Sequence, residues 1–470
     1  MSPTNALLVT SILLGTLCVS TSAQTPAERL ASQIPDYRSL PDASPGLKAR
    51  LEKEGGLSLS PGLYRLGSTL EIDLAKHHGA AIRAPQGGVT LIMDAPGPAL
   101  RLTGTHQGTA DPKSFQPATW NERMPVIEGI EILGADPGAD GIELVRVVQP
   151  IISQVAVRWC HHAIHLVERN RNIIISECHL FENSGIGIFY DSVNLHQSNI
   201  SACHISYCRE GGVVIRDGNV RNVQISGCDL EGNMPGDATP TAAANILIDV
   251  SGTPGDKSHS VAEVSITGCT IQHSGNYSGK AGQPVAPGGA NIRFLGKEVY
   301  PVDTVSISAN VLSDVSVNLD LQYVSDINVS GNVFFAPGPD NILVSHGQRV
   351  SLIGNTVNPR EFERDGVIRF TDSTDCQLTG GTVHACLAAK GAIELENCAG
   401  FLIQGVAFTD CGAGIHLKNT RATSITGCRI SRTLPEGFDL SVADDCEDIV
   451  VQANTFTGKV TLPATSKKEK

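Results

Sequence analysis

The chain is short of aromatic residues and of charge. Phe, Trp and Tyr make up 4% of its 470 residues, with two tryptophans in all, and charged residues make up 18%. Basic residues are the scarcer sign, 35 against 48 acidic, for a formal net charge of −13. That balance excludes general binding to nucleic acids or anionic membranes, which calls for a basic face. No apolar run reaches the roughly 20 residues of a membrane-spanning helix. The thirteen cysteines include no Cys-x-x-Cys pair, which argues against a zinc site. Glycine and proline, by contrast, are plentiful at 48 and 25, and 41% of residues are hydrophobic. A large core with many turns follows, and with it an all-β chain rather than a helical bundle.

Residues Ala6 to Val19 form an uncharged, mostly apolar run, and Thr21 and Ala23 are small residues at the −3 and −1 positions of an export cleavage site. The run lacks a preceding Lys or Arg. Residues 1–23 are therefore expected to be a signal peptide, and the mature protein to be extracytoplasmic. Cys18 would be discarded with it; Leu17 is too large for a lipoprotein site at that cysteine.

Internal repetition outweighs every other signal. Ile175-Ser-Glu-Cys-His-Leu180, Ile200-Ser-Ala-Cys-His-Ile205, Ile225-Ser-Gly-Cys-Asp-Leu230 and Ile266-Thr-Gly-Cys-Thr-Ile271 are variants of one phrase. Ile307-Ser-Ala-Asn-Val-Leu312, Val329-Ser-Gly-Asn-Val-Phe334 and Leu352-Ile-Gly-Asn-Thr-Val357 continue it, and further copies begin at Leu378, Ile403, Ile425 and Val451. The spacing is about 22 to 26 residues, lengthened to about 41 by insertions in two units. A second strand follows each phrase, as in Ala163-Ile-His-Leu166, Asn245-Ile-Leu-Ile248 and Asn291-Ile-Arg-Phe294, and both strands alternate apolar with polar residues. Units this small cannot bury an apolar face alone and must stack.

The phrase resembles the parallel β-helix repeat of the pectate-lyase-like superfamily, over roughly residues 57–458. The resemblance implies an all-β fold: a single right-handed parallel β-helix, or solenoid, of about fifteen coils and about 70 Å in length at ~4.8 Å per coil. Residues 24–56 are expected to be a linker and a short N-terminal capping helix, Ser44 to Glu54, with Ser44 as N-cap and Gly55 as its stop. Residues 459–470 read as a polar tail.

In coil phase, Cys178, Cys203, Cys228, Cys269 and Cys428 share one slot with Asn310, Asn332, Asn355 and Asn454. Cys160, Cys208, Cys386 and Cys411 share another with Asn183 and Asn233. These phases suit small, inward, stacking residues, so the cysteines read as buried ladder members rather than nucleophiles or ligands. The adjacent-coil pairs would be the candidates for disulfides, but stacked side chains set their Cβ atoms slightly too far apart.

Insertions at Asn233 to Ala244, Ser274 to Ala290 and Asn358 to Asp365 precede the second strand, and others leave it at Ser251 to Ser260 and Gly296 to Pro301. They single out the second strand of the middle coils as a groove floor. One outward row is His165, Phe189, Val214, Leu247, Arg293, Asp320, Leu343, Arg369, Glu394, His416 and Asp439; the next runs from Asp191, Arg216 and Asp249 to Lys418. The candidate catalytic residues are Asp191, Arg216, Asp249, Arg293 and Asp320, as acid/base carboxylates and uronate-binding or proton-abstracting arginines. Candidate substrate contacts are His165, Asn245, Asn291, Asn318 and Trp120, the last on a loop from Thr105 to Pro125. The same charges equally fit a ladder of cross-strand ion pairs. His77-His78 and His161-His162 read as exposed turns.

No catalytic signature of a specific enzyme accompanies the repeat: the polygalacturonase set, the pectate-lyase Trp-x-Asp-His, the epimerase Asp-Pro-His and the Ca²⁺-binding nonapeptide are missing. Two functions remain. One is a polysaccharide lyase or hydrolase, uronate-containing glycan favoured, with Ca²⁺ as the conceivable cofactor; the other is a non-catalytic glycan-binding or surface β-helix. The expected partner under either is a polysaccharide.

Overall fold

The computed structural model describes residues 24–108, 113, 116–235, 239–252, 259–275, 285–336, 338–358, 365–431, 433–463 and 467–468. The expected signal peptide, with Cys18, Thr21 and Ala23, lies outside the described residues, as do the middle parts of four insertions at 236–238, 253–258, 276–284 and 359–364.

The chain coils into a parallel β-solenoid. A ladder of 15 strands, from Gly62–Leu66 to Thr455–Phe456, takes one strand from each coil, so the coils number about fifteen. The remaining strands form a continuous ladder that bends through a corner and makes two faces. Strands such as Ile164–Ser176 and Ile186–Ser201 run through that corner, with a register shift between Val167 and Arg169. The cross-section is thus three-sided. The first face carries the second strand of each repeat, the second face the start of the repeated phrase, and the third, the 15-strand ladder, the end of that phrase after it turns a corner.

Register follows the repeat phase. Ile175 pairs with Ile200, Ile200 with Ile225 and Ile225 with Ile266, and all four are buried. Each same-phase aliphatic residue therefore lies on its counterpart one coil away, and a single core runs from Leu47 to Val451. Length alone would have suggested several domains, but no break in this core supports a division.

Both polar ladders lie inside. At one corner, the Cys269 and Asn310 amides donate to Asn310 Oδ1 and Asn332 Oδ1, both at 2.9 Å, and Asn332 Nδ2 donates to Asn355 Oδ1 at 3.1 Å. All twelve described cysteines are buried with free thiols. Burial pushes the Cys208, Cys398 and Cys411 thiols up to about 11, so they are neutral packing groups at physiological pH.

The N-terminal cap differs in detail from expectation. Helix α2 spans Ser44–Glu54 and stops at Gly55, whose φ of 71° suits glycine. Ser44 is its first helical residue rather than its N-cap: Asp42 Oδ1 accepts the Ser44 amide at 2.9 Å, while the Ser44 hydroxyl reaches Ser68 O. A preceding helix, α1 at Pro26–Gln33, opens with a Thr25/Glu28 capping box. Leu30 and the following Tyr37 pack on Ile92, Leu133 and Trp159, so this segment clamps the outside of the early coils. At the other end, strand pairing runs on into the expected tail, through Val460–Thr461 and Lys467–Lys468.

Candidate functional site

The first face carries both expected rows. His165 pairs with Phe189, Phe189 with Val214, Val214 with Leu247, Leu247 with Arg293 and Arg293 with Asp320. The next row pairs Asp191 with Arg216 and Arg216 with Asp249. Asp439 does not continue the first row. Ser441 pairs with His416, and the fully buried Asp439 carboxylate accepts the Thr457 and Gly458 amides at 2.7 and 2.6 Å, which closes the last coil.

The middle of the first row is sealed rather than open. Phe189, Val214, Leu247, Arg293 and Asp320 are all buried, and Phe189, Val214 and Leu247 form an apolar cluster outside the solenoid core. Arg293 explains the cover. Its Nε donates to Asp320 Oδ2, and its Nη1 and Nη2 donate to Ala242 O and Gly288 O at 2.7 and 2.6 Å. One guanidinium thereby ties two insertions over the row, and Met234 and Ala243 of one pack with Ala286 of the other and with Val315. The insertions roof this stretch instead of walling a groove, because its outward residues are mainly apolar and need cover.

Asn245, Asn291 and Asn318 lie inside as well, each fully buried. Asn245 Nδ2 donates to Asn291 Oδ1 at 2.8 Å, Asn291 Nδ2 to Asn318 Oδ1 at 2.7 Å, and Asn318 Nδ2 to Asn341 Oδ1 at 3.0 Å. Asn233 joins this ladder to the Cys160, Asn183 and Cys208 stack, so the three amides are satisfied within the protein. Trp120 sits on helix α3, Pro117–Asn121, 47% exposed, with the Arg123 guanidinium 3.5 Å above its ring.

The open chemistry gathers at the edge of the roof, around His165. Its Nε2 lies 3.1 Å from Asp191 Oδ2 and its Nδ1 3.6 Å from Glu143 Oε2, while its ring stacks on Phe189 with centroids 5.2 Å apart. Burial pulls the imidazolium down, but the Glu143 and Asp191 carboxylates outweigh it and hold the group above the ordinary histidine range. Arg216 lies over the Phe189 ring at 5.4 Å and makes no ion pair with a described carboxylate, although Asp191 and Asp249 flank it in register. Asp249 accepts instead from the Ser251 amide and hydroxyl. Beside it, burial and the Asp249 charge raise the Asp217 carboxyl.

Sequence phase missed the upstream half of this row. Glu71 pairs with Arg101, Arg101 with Glu143 and Glu143 with His165, and Arg101 bonds both glutamates. Their signal was present as alternation in Leu70–Asp73, Gly97–Thr103 and Ala139–Val145, but the phrase that sets the phase is absent from those coils. The histidine pairs also depart from expectation. His77 and His162 are buried; His162 Nδ1 accepts the Ile186 amide at 3.0 Å, and burial pushes the ring down to about 4. The C-terminal charges form the ion-pair ladder: Arg369 bonds Glu394 at 2.8 Å, and Lys418 bonds Glu396 at 2.6 Å.

Residues 121–251 match the family described as "Right handed beta helix region", and residues 262–468 match "Periplasmic copper-binding protein (NosD)". This chain is a right-handed parallel β-helix protein. No curated protein sequence matches this β-helix. Among solved structures it is similar to the Dettilon tailspike protein, at 16% identity and a TM-score of 0.47 over 86% of the β-helix chain and 66% of the tailspike's length. It is similar also to the A-module of a mannuronan C-5 epimerase from Azotobacter vinelandii (13%, TM-score 0.38, 92% and 96%) and to PfbA, a surface adhesin of Streptococcus pneumoniae (9%, TM-score 0.45, 81% and 90%). Among the described residues, no helix of the β-helix protein is long and apolar enough to cross a membrane. No group of three His, Cys, Asp or Glu residues is arranged there to hold a metal.

Proposed function

We propose that this protein is an extracytoplasmic polysaccharide-binding β-helix whose glycan site is the His165, Asp191 and Arg216 lip of the first face. One observation carries the reading: a histidine held between two carboxylates shares the Phe189 ring with a cation that has no described ion-pair partner, at the edge of a roofed row. A guanidinium without a partner suits a carboxylate ligand, which it can bind through two parallel hydrogen bonds. A uronate-containing glycan fits that chemistry, and the local cation offsets the −13 charge that would otherwise repel a polyanion.

If the site turns over its ligand, His165 is the group able to take or give a proton, and Asp191 and Glu143 orient the ring and stabilise its charged form. Copper, named in the description of the family matched by residues 262–468, finds no suitable ligand set among the described residues, so no step is assigned to it. The test is to incubate the purified mature protein with polyuronides and neutral glycans, with and without Ca²⁺, and to follow unsaturated products, reducing ends and binding. Unsaturated uronate would identify a lyase, new reducing ends alone a hydrolase, and binding without either a glycan-binding protein. Absence of all three with polyuronides would overturn the assignment.

A further inference from the structure

The second face carries a cavity of about 460 Å³ lined by side-chain amides. Asn172, Gln197 and Asn222 stand one above another at the corner, in left-handed backbone conformation with φ of 53°, 67° and 57°. Ile174, Asn199 and Gln224 form the adjacent column on the strand face, where Ile174 pairs with Asn199 and Asn199 with Gln224. Gln197, Asn199 and Gln224 are exposed, and their side chains bond no described residue. Asn172 accepts from Arg171 Nε, and Asn222 donates to Glu263.

The lining holds no charged side chain. Of the neighbouring cations, Arg171 is buried, and Arg221 is tied to the Val220 and Ser260 carbonyls and the Ser260 hydroxyl. Beyond the cavity the corner row meets the Glu263 carboxylate, while the two strand-face rows stay neutral. Gln224 is followed by Ser265, Ser306 and Asn328, and the row beside it is serine or threonine in every coil from Ser176 to Ser330. The lining offers an anion no charged partner, and the one bordering carboxylate, Glu263, lies at the end of the corner column and is bonded by Asn222. Each amide offers both donors and an acceptor, as paired hydroxyls require, and the columns repeat at the coil spacing of ~4.8 Å. Ile174, 39% exposed, adds an apolar patch for the C–H face of a sugar ring.

We infer that this cavity is a second carbohydrate site, one that takes an uncharged oligosaccharide lying along the coil axis. It is separate from the His165 site in face, in charge and in ligand class.

The experiment is calorimetric titration of the full mature chain with cellohexaose, maltohexaose, a β-1,3-glucohexaose and tri-galacturonate. At least one neutral hexasaccharide is expected to bind, and the near-isosteric pair Asn199→Asp and Gln224→Glu to weaken it at least tenfold. Gln197→Ala serves as an independent single variant with the same direction. Circular dichroism checks that each variant keeps the fold, and sedimentation follows self-association. Failure of all three neutral sugars, or undiminished binding in every variant, overturns the inference. A change in self-association without a change in sugar binding also overturns it and assigns the face to a second copy of the chain. Tri-galacturonate in the same titration reports on the His165 site alone, so the two readings can fail separately.

Discussion

Arg293 and Asp320 form a buried ion pair outside the solenoid core, Nε to Oδ2 at 2.7 Å, with side chains 9% and 8% exposed. The same guanidinium holds the Ala242 and Gly288 carbonyls, so it is a strut of the roof over the first face. Arg293→Ala leaves a buried carboxylate unpaired and is expected to cost about 3–5 kcal/mol. Arg293→Leu with Asp320→Leu removes both charges and should lose markedly less in urea unfolding. An equal loss would show that the loop carbonyls, not the charge pair, dominate.

Asn291 tests the inner ladder. Its amide accepts from Asn245 and donates to Asn318 and to Ser313 O, fully out of water. Asn291→Ala strands its partners and should cost about 1–3 kcal/mol. Asn328→Ala, on the exposed second face, should stay within about 0.5 kcal/mol. Comparable urea midpoints for the two variants would contradict this placement.

Two histidines three positions apart respond to pH in opposite directions. His162 titrates at about 4 in the folded chain, below the ordinary value, because burial disfavours its charge. The unfolded chain takes up that proton first, so stability falls as pH drops from 6.5 towards 4, by up to about 3 kcal/mol. His162→Gln should flatten that acid limb in urea unfolding. His165 is held above the ordinary value by Glu143 and Asp191, so its contribution is fully present below about pH 6.5 and is lost as pH rises through its folded value. The stability difference between wild type and His165→Gln should therefore shrink on the alkaline side. A difference independent of pH would remove the charge argument.

Arg216 and His165 divide binding from proton transfer at the proposed site. Arg216→Ala should weaken oligogalacturonate binding about tenfold, with a smaller salt dependence than wild type. If turnover is found, His165→Gln should lower kcat by about 10²–10⁴ and shift the pH profile, while changing binding far less. A loss in both variants confined to KM would identify a binding site without proton transfer.

The repeat phrase made the fold legible because same-phase residues must touch in a stacked coil. Ile175, Ile200 and Ile225, and the Cys and Asn slots beside them, could be set in register from spacing alone. The outward row from His165 to His416 was legible for the same reason, and it failed at Asp439, where the last coil breaks the period to close the end. The upstream carboxylates Glu71 and Glu143 escaped because their coils alternate correctly but lack the phrase that numbers them.

Periodicity by itself therefore determined the solenoid, its register and which residues share a column, since these depend only on neighbours one coil apart. The tertiary structure alone decided exposure. Non-periodic insertions fold back over Val214, Leu247 and Arg293, while Arg216 and the Gln197, Asn199 and Gln224 amides stay uncovered. The outward side of a strand is a local property, but whether water reaches it depends on where a distant loop comes to rest.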